Sequence, residues 1–278
     1  MLSKVKSCGL LGIDGFVINV ETDISNGIPA FDLVGLGDTA VKESKERVRA
    51  AIKNSGYNFP VKRITVNLAP ANLRKEGSAL DLPVAIGILA ATGQIKNSFL
   101  SNYMFIGELS LNGEINGING ALSMAICAYQ KGIKNIILPL DNADEAAVIE
   151  GINVFPARDL NEVAAHLNEQ MSLERYSVNL KNLFNNEDEF SGNDFSEVHG
   201  QENIKRVLEI AAAGSHHCLI IGPPGSGKTM LARRLPSILP PLTFNEALQV
   251  TRIHSIAGIL PQKIPLLTTR PFRSPHHT

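Results

Sequence analysis

Residues 222–229 read GPPGSGKT. The pattern is a Gly, four residues, then Gly-Lys-Thr, and the flanks agree with it. Residues 218–221 (CLII) form a short apolar run suited to a buried strand. Residues 230–235 read as the body of a helix, which Pro236 ends or bends. A strand, a glycine-rich turn and a helix in succession form the context in which this pattern grips phosphate. Gly222, Gly225 and Gly227 let the backbone curl with its N–H groups facing inward, and Pro223, Pro224 and Ser226 complete the loop. The positive end of the following helix adds to that field. Lys228 is expected to reach the β- and γ-phosphates as the catalytic cation, and the Thr229 hydroxyl to ligand Mg²⁺. The loop is therefore read as a nucleoside triphosphate site.

The length of 278 residues suggests about two domains. Hydrophobic residues at 44% and charged residues at 19% are those of a globular protein in water. A net charge of −1 gives no global sign of a nucleic-acid or membrane partner. Cys8, Cys127 and Cys218 are odd in number and far apart, which suits a reducing compartment and offers no metal cluster. No secretion signal is visible. Lys4 and Lys6 precede only a short apolar stretch broken by Gly9, Gly12 and Asp14. The most apolar segment, 82–91, is too short to span a bilayer. The expected location is the cytoplasm, with no membrane partner.

Along the chain, 15–20 (GFVINV) and 30–34 (AFDLV) read as strands, with turn chemistry at 24–29. A helix follows Asp38 as N-cap, with Val41, Val48, Ala51 and Ile52 near one face. Lys42, Lys45, Arg47, Arg49 and Lys53 crowd the remainder and read as a solvated face. Residues 63–68 alternate as a half-buried strand. A helix is expected over 79–91, with Ser78 as N-cap and Asp81 closing a capping box. Further strands are expected at 103–106, 135–138 and 153–155, tight turns across 107–120, and helices at 121–130, 142–150 and 160–167. This gives an α/β or α+β first domain over 1–170 and an acidic, Asn-rich linker over 171–194. The second domain, 195–278, opens with an amphipathic helix at 204–213 and carries the phosphate loop.

The runs 194–243 and 270–278 (RPFRSPHHT) resemble the Mg-chelatase branch of the AAA+ ATPases. The first domain is similar to the Lon-protease-like module that precedes this ATPase in the YifB/ComM type of protein. The residues that carry this are 29–37 (PAFDLVGLG), 63–84 (RITVNLAPANLRKEGSALDLPV) and 105–120. The resemblance implies a ribosomal-protein-S5-like first domain and, in the second, the start of a ring-forming P-loop ATPase that uses ATP and Mg²⁺. It also implies a homo-oligomeric ring, a hexamer, with DNA as partner through branch migration in natural transformation. Val198, His199 and Gly200 fall on the segment that such ATPases place near the adenine.

Set against the Lon pattern, the nucleophile position falls on Ala79 and the catalytic lysine position on Met124, so peptide cleavage is not expected. Ser78 is one residue off, and Lys75 and Glu76 nearby do not read as an acid/base pair. In the second domain no Asp follows Thr229, and Glu246 is the only acid there, within a stretch that reads as helix. A phosphate-loop ATPase needs a carboxylate beyond the loop to organise Mg²⁺ and water. The expectation is a chain truncated before that carboxylate, with nucleotide binding and negligible turnover.

Residues 230–278 hold Arg233, Arg234, Arg252, Lys263, Arg270 and Arg273 against Glu246, either as a face for DNA or as partners for acids elsewhere. His216–His217 and His276–His277 are poor chelates, because neighbours on a strand point to opposite faces. Alternative functions are a chelatase-type ATPase subunit for metal insertion and a Lon-like peptidase.

Overall fold

The computed structural model describes residues 2–180, 194–261 and 263–274. Thus 181–193 of the expected linker, and His276 and His277, lie outside the described residues. The chain divides into two compact units. One is Met1–Val178 with Thr251–Pro265, the other Asn179–Val250 with Leu266–Thr278.

The first unit is built on a seven-stranded mixed sheet in the order β3-β4-β2-β1-β5-β8-β9. Its strands are β1 (Leu2–Leu11), β2 (Asp14–Ser25), β3 (Ala30–Val34), β4 (Arg63–Ala69), β5 (Tyr103–Phe105), β8 (Asn135–Pro139) and β9 (Asn153–Ala157). β1 and β2 form a long antiparallel hairpin, β4 runs antiparallel to β2, and the remaining neighbours are parallel. A small hairpin, β6 (Glu108–Leu109) with β7 (Ile115–Asn116), stands apart from it.

Two apolar cores flank the sheet. On one face α1 (Thr39–Asn54), α2 (Asp81–Ala91) and α5 (Leu160–Leu167) bury Val48, Ile52, Ile86, Leu89, Val163 and Leu167 with Val5, Ile18, Val20 and Ile64 of the strands. On the other, α3 (Ala121–Gln130) and the short α4 (Ala143–Ala146) bury Met124, Ala125, Ala128 and Ala146 with Cys8, Ile106 and Ile136. The alternation explains this division, since residues two apart on a strand share a face. α2 is buried along its whole length, as a helix apolar on all sides must be.

Several sequence expectations need correction. β1 was not expected, because its inward positions include Ser3 and Ser7, which hide the apolar alternation. Ser3 Oγ satisfies itself on Gly87 O at 2.7 Å. The capping box at Ser78 does not form. α2 starts at Asp81 with no side-chain cap, Ser78 Oγ donates to Glu108, and Asp81 receives Arg47 Nε at 2.7 Å, Arg47 Nη2 at 3.1 Å and Leu109 N at 3.3 Å. A fully buried carboxylate needs a cation more than a helix start needs a cap. Arg47 is therefore a core ion-pair partner, not part of a solvated face; Lys45 and Arg49 lie over the rings of Phe31 and Phe59. The helix expected at 142–150 shrinks to α4, because tighter turns bring Val148 into the core.

The second unit holds α6 (Glu202–Gly214), α7 (Lys228–Arg234) and the first half of α8 (Phe244–Ile256). One cluster of its core is Phe195, Val198, Leu208 and Leu231, with Ile204, Ile220, Leu235 and Ile238 packed around them, and Leu242, Ala247 and Leu266 are buried besides. The strand expected at 218–221 is absent, and Leu219 and Ile221 are each 85% exposed. A strand exists only against a neighbour that takes its N–H and C=O groups, and no strand occurs among the described residues of this unit. The segment Thr251–Pro265, expected in the second domain, belongs to the first unit. There Arg252 Nη2 donates to Ile13 O and Asp14 Oδ1, both at 2.7 Å, and Ser255 Oγ donates to Glu145 Oε2 at 2.5 Å.

Candidate functional site

The phosphate-loop sequence forms a tight loop running directly into α7. Gly225 and Gly227 both take φ of +81°, a left-handed conformation that a side chain would strain. Gly227 caps α7. Lys228 bends back over the loop, donating to Gly222 O at 2.8 Å, Pro223 O at 2.7 Å and Ser226 Oγ at 3.3 Å. All three ammonium protons thus have an acceptor in the loop, so the cation is held above it. Gly222 is packed closely enough that a Cβ would lie 3.1 Å from Ser226 Oγ. Pro223, Pro224 and Thr229 are exposed. The residues present fit a phosphate group: a cation over the loop, two glycines in the required conformation and an open hydroxyl.

Of the three residues expected near a base, Val198 is buried in the small core with Leu231 of α7, whereas His199 and Gly200 are exposed. The segment is pinned there by Arg234 of α7, whose Nη2 and Nε meet Glu197 Oε2 at 2.6 and 3.2 Å. Glu246 caps α8. Its Oε2 accepts from Thr243 N at 2.8 Å, while its own N–H donates to Thr243 Oγ1 at 3.3 Å, and Arg270 Nη2 meets its other oxygen at 3.3 Å. The one acid after the loop is thus committed to a capping box. The basic residues are partly accounted for as well, since Arg234, Arg252 and Arg270 each pair with an acid. No group of three metal-ligating side chains occurs among the described residues.

The first unit has a cleft of about 490 Å³ whose lining includes Ser78, Ala79, Glu108, Ile118, Asn119 and Met124. Ala79 and Met124, 45 positions apart in sequence, meet in one cavity. Neither carries a nucleophile or a base. Ser78 Oγ donates to Glu108, a carboxylate and hence a weaker proton acceptor than an amine or imidazole. Lys75 does not line this cavity. It is buried, its Nζ donates to Leu73 O at 2.8 Å and to Pro70 O, and burial pushes its ammonium down. Lys75 instead binds its own loop, whose backbone joins Leu36 and Asp38 at the start of α1. Sequence reasoning missed this role, as it did that of Asn142, whose Nδ2 and Oδ1 both bond the backbone of Ile118 at the cleft rim.

The family described as subunit ChlI of Mg-chelatase matches residues 20–142, and that described as magnesium chelatase, subunit ChlI, matches residues 194–278. The protein YifB of Salmonella typhimurium is 46% identical over 281 residues, covering 100% of this chain and 53% of that protein. The competence protein ComM of Haemophilus influenzae is 42% identical over 282 residues, covering 100% and 54%. The chain is a Mg-chelatase-like protein of the YifB/ComM type. It spans about half the length of these relatives. The Lon protease of Buchnera aphidicola is 21% identical over 163 residues, 54% of this chain. This Lon-like similarity and the mostly parallel sheet agree with the α/β reading of this family member. No described helix is long and apolar enough to cross a membrane.

Proposed function

We propose that this chain supplies the nucleotide grip of an ATP-driven motor of the ComM/YifB type that works on DNA. The observation that carries this is the loop at 222–229, with Lys228 held over it, in a chain related along its whole length to a competence protein. Lys228 and the N–H groups of 222–229 would hold the phosphates of ATP. Thr229 would ligand Mg²⁺, and Val198, His199 and Gly200 would flank the base. The bound Mg–nucleotide supplies a phosphoanhydride whose cleavage can drive movement. With Glu246 used as a cap, the chain binds nucleotide without appreciable turnover. The second domain is read as the start of an AAA+ fold in a cytoplasmic homo-oligomeric ring, a hexamer. The first is an S5-like, Lon-like domain that serves assembly or partner binding, since Ala79 and Met124 remove the cutting chemistry.

Binding to a four-way DNA junction and to linear duplex of equal length, each across a salt series, tests the DNA reading. Preferential junction binding that weakens linearly in log salt is expected. Equal, salt-insensitive binding, or none, would remove DNA and leave the chelatase-subunit reading implied by the family descriptions.

A further inference from the structure

Cys8 of β1 and Cys127 of α3 lie outside both sites, and both are buried. Cys8 stands opposite Val17 on β2, so Gly15, two residues from Val17, faces the same side of the sheet. That is the side α3 covers. A Cβ on Gly15 would sit 2.7 Å from Cys127 Cβ and 3.0 Å from Cys8 Sγ, so those two atoms are at most 5.7 Å apart. Cys8 Sγ donates to Gly9 O at 3.4 Å. Gly15, by lacking a side chain, is what lets helix and hairpin close on them. Residues 11–14, at the turn of the same hairpin, are exposed.

We propose that Cys8 and Cys127 are a dithiol that a peroxide-class two-electron oxidant closes to a disulfide within the folded first unit. The neighbouring Cys8 thiol and the Lys131 ammonium hold the Cys127 thiol below its usual range, while the neighbouring Cys127 and burial push Cys8 up. Cys127 is therefore the nucleophile. Its thiolate sulfur bonds one peroxide oxygen as the O–O bond breaks, giving a sulfenic acid and hydroxide, which takes up the proton the thiol released and leaves as water. The Cys8 sulfur then bonds the Cys127 sulfur, and the Cys8 proton goes to the departing hydroxyl as a second water. Two electrons pass from the sulfurs to the peroxide.

The test uses the 278-residue chain and its Cys218→Ser variant, treated with hydrogen peroxide in native buffer and in urea. Each is then acid-quenched, alkylated in denaturant and peptide-mapped. The expected result in native buffer is loss of the Cys8 and Cys127 thiols from alkylation in both proteins and a Cys8–Cys127 crosslinked peptide. Both should be reversed by dithiothreitol and form faster than in urea. The proposal is overturned if Cys8 and Cys127 remain alkylatable after exposed Cys218 is fully oxidised, or if the crosslink forms only in urea.

Discussion

Arg47 and Asp81 show how much a single residue's environment decides. Burial pushes the Asp81 carboxyl up to about 6, against the opposing pull of the Arg47 guanidinium and the Leu109 N–H. A carboxyl whose folded pKa exceeds its unfolded value binds its proton more tightly in the folded chain. Its contribution to stability therefore falls as pH rises from about 4 to about 6 and is level above. Replacing Arg47 with Met leaves that carboxyl without its cation. We expect a loss of about 3 kcal/mol, typical of a broken buried pair. The deficit relative to wild type should grow between pH 5 and 8 in urea titrations; a deficit that does not change with pH would contradict the pairing. Ser78 illustrates the opposite case, a reactive residue type with no suitable base. A fluorophosphonate probe should leave the chain unlabelled, and labelling that disappears in Ser78→Ala would restore the peptidase reading. The Arg47–Asp81 pair was not legible in sequence, because its members are 34 positions apart and each has an ordinary local role to play. Ala79 and Met124 were legible only through resemblance to a family pattern.

Among the elements, those with clear local grammar were readable. α1 begins where Asp38 accepts from Val41 N at 2.8 Å, and α5 begins where Asp159 accepts from Glu162 N at 2.9 Å. β1 was not readable, because its core-facing serines break the alternation, and neither was the fate of 218–221, whose strand depends on neighbours and not on its own composition. The close approach of α3 to the β1–β2 hairpin is invisible in sequence, where Gly15 reads only as the start of a strand. A methyl group at Gly15 meets Ser123 O at 2.9 Å as well as Cys127, so the helix must shift. Gly15→Ala should cost about 1–3 kcal/mol by overpacking, read as a lowered urea midpoint with an unchanged slope. An unchanged midpoint would mean that α3 is not seated as described.

At the scale of the whole molecule, the two units differ in kind. The first has two cores and a seven-stranded sheet. Among the described residues, the second packs around the small cluster of Phe195, Val198, Leu208 and Leu231 and exposes Val207, Ile210, Leu219 and Ile221. The proposed nucleotide grip nevertheless lies in the second, on the eight residues 222–229. The most direct test is equilibrium binding of a fluorescent ATP analogue with Mg²⁺ to the 278-residue chain and to Lys228→Ala, with circular dichroism of both as the control for folding. Losing the ammonium's charge-assisted bonds to phosphate should cost about 2 kcal/mol, roughly thirtyfold in affinity. Saturable binding weakened by that order in an equally folded variant is the predicted result. Equal binding by the two proteins, or no binding by a folded wild-type chain, would contradict the claim that this loop holds nucleotide.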